Sequence, residues 1–179
     1  MQMNAGDRYA PALRWLHWIS FALVLIAYVA INVRGLFPRG SEGRADSLAI
    51  HALAGIAVLL LVLPRLSTRL KHPSPPIVPA MDKWSQALSK ITHVALYAFL
   101  IAQPIMGIVT LQIAGKPVSL FGVTVLPAFF GAGDRELAHP WEDVHGLVGE
   151  IFYYVIGLHI LAALWHHFGR KDNTLRRMA

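Results

Sequence analysis

Four stretches of this chain are apolar for long enough to cross a lipid bilayer, which takes about 20 residues of helix. They are about Leu13–Val33, Leu48–Leu66, Ser89–Ile113 and Val144–Phe168. In hydrocarbon a backbone N–H or C=O finds no water, so each stretch has to be a helix that satisfies its own hydrogen bonds. The second has the shortest apolar core, "LAGIAVLLLVL" at Leu53–Leu63, and needs His51 and its flanks to complete a crossing. Chain breakers fill the connections: "RGLFPRGSEG" (Arg34–Gly43), "KHPSPPIVP" (Lys71–Pro79) and a third from Ala114 to Asp134. The expected fold class is all-α, an integral membrane four-helix bundle formed by residues 1–179 as one domain. The first stretch reads as a permanent span, because a weakly charged start precedes it and no small-residue cleavage site follows.

Basic residues orient the spans. The two tails and the second connection hold Arg8, Arg14, Arg65, Arg69, Lys71, Lys83, Lys90, Arg170, Lys171, Arg176 and Arg177. The first and third connections hold only Arg34, Arg39, Arg44, Lys116 and Arg135. Cytoplasmic loops carry the excess of Lys and Arg, so both termini are expected in the cytoplasm, in a multi-pass protein of a bacterial inner membrane. The formal charge of +6 is then a matter of topology and lipid, and no nucleic acid is expected.

Polar groups inside spans are expensive and mark function. His17 lies in the first turns of span one, near the cytoplasmic side, and His51 lies early in span two, near the outer side. His145 opens span four from the outside. His159 follows fourteen residues later, about 21 Å further along the helix, after a rotation about 40° short of four full turns. His145 and His159 therefore share a face at two depths. By depth, His51 matches His145 and His17 matches His159.

The chain has no cysteine, so disulfides, thiolate zinc sites, cysteine-held iron–sulfur clusters and covalently tethered haem are excluded. Two histidine pairs, each bridging two helices, suit two b-type haems between the helices, each with an axial imidazole on either face of a flat ring. Gly55 and Gly149, one turn beyond His51 and His145, give the ring room, and Gly146 and Gly157 add further gaps. Glycines also serve helix packing, and a lone histidine in a span can simply bond across helices. A zinc, manganese or iron site would gather three or four ligands at one point, so metal or proton transport ranks below haem.

The other polar residues carry less. His93 is expected in the first cytoplasmic turn of span three, as a satisfied contact in preference to a haem-propionate neighbour. His72 and His139 are expected in solvated loops. His166 lies about two turns past His159 on the ligand face, as a quinone contact or an interfacial residue, with His167 beside it. Glu150 points about 140° away from His145 and is expected to pair with Gln103 or Thr110, or to take part in proton movement.

Several segments together resemble the bacterial cytochrome b561 family, and within it the superoxide oxidases. They are "LHW" with His17, "RGLFPR" at Arg34–Arg39, "IHALAGI" with His51, "KHPSPPIVP", "AQPIMG" in span three, "VIGLHILAALWHHF", and "KDNTLRRM" near the end. The resemblance covers nearly the whole chain, and the spacing of the two span-four histidines is its most specific part. It implies haem iron held by His17 with His159 and by His51 with His145. It also implies superoxide oxidised to dioxygen outside and ubiquinone reduced at the cytoplasmic end, where His166 matches a quinone contact and Arg14 and Trp18 complete the expected set. Arg34, Arg39 and Arg44 would steer the superoxide anion, against an acidic third connection holding Asp134, Glu136, Glu142 and Asp143. The competing expectation is a haem-bearing subunit fed by a partner dehydrogenase or hydrogenase.

Overall fold

The computed structural model describes residues 8–129 and 133–179. Four long helices account for most of it: α1 (Pro11–Val33), α2 (Glu42–Lys71), α3 (Lys83–Ile113) and α4 (Arg135–Phe168). All four are long and apolar enough to cross a membrane. A 3-10 turn, Arg34–Leu36, extends α1, and a small antiparallel hairpin, β1 (Val118–Leu120) with β2 (Val123–Leu126), joins α3 to α4.

Three of the helices begin earlier than their apolar stretches, because polar caps start them. Ser41 accepts a hydrogen bond from the Arg44 N–H at 3.3 Å, Asp82 from that of Ser85 at 2.9 Å, and Asp134 from that of Leu137 at 2.9 Å. Hydropathy is blind to such polar first turns. α1 begins without a side-chain cap but with Pro11 at its first position, where the missing N–H costs nothing. At 34 residues α4 is about 51 Å long, well beyond the roughly 30 Å of hydrocarbon. Its first turns therefore lie beyond that thickness, where Ala138 is buried and the Asp134 N–H donates to the Ile113 carbonyl at 2.7 Å.

Three expectations are corrected by this. His139 is helical, and its Nδ1 lies 3.0 Å from Asp143 one turn on, an exposed pair. Glu136, Glu142 and Asp143 belong to α4, so the third connection keeps only Asp134 of the acidic set. His93 is not in the first turn of α3; ten residues separate it from the helix start, about 15 Å.

The chain makes one end of the bundle from both termini and the second connection, here the tail end. The first connection and the hairpin make the other, the hairpin end. α1 packs on α2, α2 on α3 and α3 on α4. α4 stands off from α1 and α2 and reaches α1 through side chains. The Tyr28 hydroxyl donates to the Gly149 carbonyl at 2.8 Å, and the Tyr28 and Tyr153 rings lie 4.2 Å apart.

Midway along the bundle, Val58, Val62, Phe99 and Leu100 are buried, with Phe152 stacked on Phe99 at 4.1 Å and 13°. Such a ring pair is worth about 0.5–1.5 kcal/mol beyond the area it buries. In lipid that matters, because association rests on close packing rather than on exclusion of water. The outward faces are apolar and open, as at Leu60, Tyr154 and Trp84.

Candidate functional site

The histidines gather at two levels, on either side of the Phe99–Phe152 plug. At the hairpin-end level, His51 of α2 meets His145 of α4 with ring centres 5.9 Å apart and planes at 89°. The His51 Nδ1 lies 2.9 Å from the Ala27 carbonyl oxygen of α1. A carbonyl only accepts, so Nδ1 carries the hydrogen and Nε2 is left with its lone pair, the arrangement of a metal-binding histidine. The His145 Nδ1 is buried without a partner. Its backbone is held instead, since Gln103 Nε2 donates to the His145 carbonyl at 2.7 Å.

Gly107 of α3 lies behind the His145 ring: a Cβ there would meet Cε1 at 3.1 Å. Sequence reasoning missed this glycine, since it has no histidine near it in the chain. Of the glycines it did select, Gly55 abuts Pro104 at 3.9 Å from a notional Cβ, and Gly149 abuts Gln103 Nε2 at 3.1 Å. Both face residues of α3. Gly146 and Gly157 face open space, with nothing within 4 Å.

At the tail-end level three helices contribute. His93 of α3 and His159 of α4 have ring centres 5.5 Å apart at 86°. His17 of α1 is within electrostatic reach of both. The His93 Nδ1 lies 2.6 Å from the Ser89 carbonyl oxygen, which again leaves Nε2 with its lone pair. His17 differs, because Arg65 Nη2 donates to its Nδ1 at 2.9 Å. The pair expected from depth, His17 with His159, thus has a third member between its helices.

The donor set decides what these levels can bind. His51 and His145, with ring centres 5.9 Å apart, are close enough for one metal atom to be held between them. Among the described residues no three of His, Cys, Asp and Glu, the tail-end rings included, are placed to hold one metal ion together. A site with only two protein donors is incomplete for a bare metal ion. It fits a metal that brings its own in-plane ligands, as haem does. Room for a flat ring lies where helices stand apart. His51 and His145 meet across the gap between α2 and α4, and His17 and His159 lie on α1 and α4, which also stand apart, whereas His93 and His159 sit on the close-packed α3–α4 pair.

Around the tail end, Arg14, Trp15, Trp18, Met178 and Ala179 line a cleft of about 190 Å³. Trp18 Nε1 donates to the Met178 carbonyl at 2.9 Å. The expected quinone set is therefore divided: Arg14 and Trp18 share the cleft, while His166 is engaged with Asp172 at 2.6 Å. His167 has a buried Nδ1 without a partner and lies edge-on to Phe168. His72 caps the end of α2, exposed as expected.

The three arginines at the first connection, Arg34, Arg39 and Arg44, divide as well. Arg44 Nη1 donates to the Arg34 and Phe37 carbonyls at 3.1 and 3.3 Å and so pins the first connection. Arg34 has a buried Nε without a partner, and Arg39 is exposed. Neither group proposed for Glu150 pairs with it: Gln103 holds the His145 carbonyl, and the Thr110 hydroxyl donates to the Met106 carbonyl.

Residues 8–179 match the family model for prokaryotic cytochrome b561. The chain is 35% identical over 172 residues to cytochrome b561 homolog 1 of Escherichia coli strain K12, covering 96% of this chain and 97% of that protein. It is 39% identical over 163 residues to the probable superoxide oxidase CybB of Yersinia pestis, covering 91% and 90%. It is also 27% identical over 182 residues to cytochrome b561 homolog 2 of E. coli K12, covering 98% and 93%.

Proposed function

Because the chain belongs to the prokaryotic cytochrome b561 family, membrane cytochromes that carry b-type haem and transfer electrons, we propose that it is a dihaem superoxide:ubiquinone oxidoreductase of the bacterial inner membrane. Superoxide is oxidised to dioxygen at the hairpin end, which faces the periplasm, and ubiquinone is reduced at the cytoplasmic tail end. The observation that carries this is the meeting of His51 with His145 across two helices that stand apart, with a second level of histidines around His159 toward the tail end. The substrate is supported by likeness to the probable superoxide oxidase CybB of Yersinia pestis.

His51 and His145 would hold one haem, and His17 and His159 the other. Bound haem supplies a reversible one-electron couple at each level. The chain's own residues do the rest. The Ala27 carbonyl fixes the His51 tautomer, and Gln103 fixes the backbone that presents His145. Arg65, in reach of His17, and Arg34, with its free Nε, suit the propionate edges of the two rings. Arg39 gives the outer face an exposed positive charge for an anionic substrate, which needs no acid or base in a one-electron step. Arg14, Trp15 and Trp18 would take the quinone ring in their cleft, with His166 as a further contact.

A second reading rests on the hairpin, where Phe121, Val123, Val125 and Phe129 are exposed, Phe121 by 78%. That surface suits a partner dehydrogenase or hydrogenase that would deliver electrons in place of superoxide. One experiment separates the readings: mixing purified protein with a superoxide source and following haem absorbance. The proposal expects haem reduction well above the rate for free haem in detergent, followed by reoxidation on adding ubiquinone. A rate equal to that of free haem favours the subunit reading. A protein without two low-spin b haems per chain overturns both.

A further inference from the structure

The C-terminal motif "KDNTLRRM" (Lys171–Met178) folds back across the tail end and is anchored along its length. Asn173 donates its backbone N–H to the Val78 carbonyl at 3.1 Å, and its side chain accepts from the Val78 N–H at 2.9 Å. Arg170 reaches Asp82 at 3.3 Å, and Arg177 donates to the Tyr9 hydroxyl at 2.9 Å. The Met178 carbonyl takes the Trp18 N–H. Between these anchors lies Asp172, whose side chain has no exposed surface, against His166 at 2.6 Å.

A buried carboxylate is a poor way to secure a tail, since removing it from water costs about as much as its pairing returns. The other anchors would hold the strand without it. Burial pushes the Asp172 carboxyl up, but hydrogen bonds from His166 and from the Thr174 N–H at 2.9 Å outweigh it and hold the group below the usual carboxylate range. An ionised carboxylate only accepts, so the His166 Nδ1 is the donor and its Nε2 is left for another partner. The adjacent His167 has no such carboxylate. The charged groups around the pair are Arg170, whose Nε lies 4.0 Å from Asp172, Arg177 on the same tail, and Asp82 through Arg170.

We infer that Asp172 is a positioning residue of the quinone site, holding His166 by its Nδ1–H and stabilising the doubly protonated ring, whose Nε2–H donates to a quinone carbonyl oxygen and passes it the proton. This rests on the reading of His166 as a quinone contact. A buried carboxylate does the same for the histidine of hydrolase triads, where it fixes tautomer and ring orientation. Two superoxide anions give up one electron each and leave as two molecules of dioxygen. Ubiquinone takes those two electrons and two protons to become ubiquinol. His166 delivers protons from Nε2 and recovers them from cytoplasmic water, with its ring held in place throughout.

The test divides the catalytic cycle. Haem content, superoxide-driven haem reduction and reoxidation of prereduced protein by decylubiquinone are measured for wild type, Asp172→Ala and Asp172→Asn. Asp172→Ala is expected to slow reoxidation by about tenfold or more while haem content and reduction by superoxide stay at wild-type values. Asp172→Asn, which removes the charge and can turn its amide N–H toward Nδ1, is expected to be about as slow as Asp172→Ala, with haem content and reduction by superoxide again kept. Reoxidation unchanged in Asp172→Ala overturns the inference, and so does an asparagine variant that reoxidises at the wild-type rate. Loss of both half-reactions together with haem makes Asp172 structural and also overturns it. Wild-type protein that decylubiquinone fails to reoxidise removes the quinone reading itself.

Discussion

The two histidine levels are built differently. At the hairpin end there are two rings, one with its tautomer set by the Ala27 carbonyl and the other backed by Gly107. At the tail end there are three rings, one already bonded to Arg65, under a lid formed by the chain's own C-terminus. The first level is a plain two-donor site open toward the short connections. The second is crowded, with an arginine and the folded-back tail beside its rings. An electron needs only the metal couple, whereas a quinone needs electrons and protons together, so the more elaborate end is the one expected to meet the quinone.

Removing ligands is the hardest blow to this comparison. His51→Ala or His145→Ala should leave one haem per chain, at the tail end, and His159→Ala should leave one at the hairpin end. His93→Ala should keep two, because α3 and α4 pack too closely to admit a ring between them. Pyridine haemochrome counts check all four. A His93 variant with a single haem would reassign the tail-end pair.

Crowding comes next. Gly107→Val should displace the His145 ring, since the Cβ alone would sit 3.1 Å from Cε1. Overpacking of this kind costs about 1–3 kcal/mol, and here it should lower haem occupancy at the hairpin end alone. Equal loss at both levels, read from the split α-band, would show that the two are not independent.

Surface charge should act more weakly. Arg39→Glu is expected to slow superoxide-driven haem reduction a few-fold at low salt and hardly at all at high salt, where charges are screened beyond about 3 Å. Stopped-flow rates across ionic strength measure it, and a salt-independent effect would remove the steering role.

The smallest effect is acidification at the tail end. Hydrogen bonds from the Ser85 backbone and hydroxyl, with Arg170 adding to them, hold the Asp82 carboxyl down from its ordinary 3.8 to about 2. A depressed carboxylate stabilises the fold fully above 3.8 and loses that contribution as pH falls toward about 2. The latch to Arg170 should loosen in that window. Hydrogen exchange at Val78 and Asn173 should speed up there, and Asp82→Asn should remove the pH dependence.

Much of this was legible in the chain. Four spans follow from runs of apolar residues, and the shared face of His145 and His159 follows from helix geometry across one element. Other features were not. Hydropathy sets His93 too near the helix start because Asp82 begins α3 before hydropathy rises, and it leaves His139 outside a helix because Asp134 caps α4 in the same way. Gly107, the Asp172–His166 pair and the division of the quinone set depend on contacts between residues far apart in sequence.

What the sequence alone determined is therefore whatever one helix carries by itself: length, apolarity, and the depth and facing of its histidines. Lipid imposes those, since a span must satisfy its own backbone and announce itself in composition. Which helices touch and which stand apart belonged to the tertiary structure. Packing between α3 and α4, and the gaps that α4 keeps from α1 and α2, arise from side-chain fit across elements, and periodicity within one element holds no record of that.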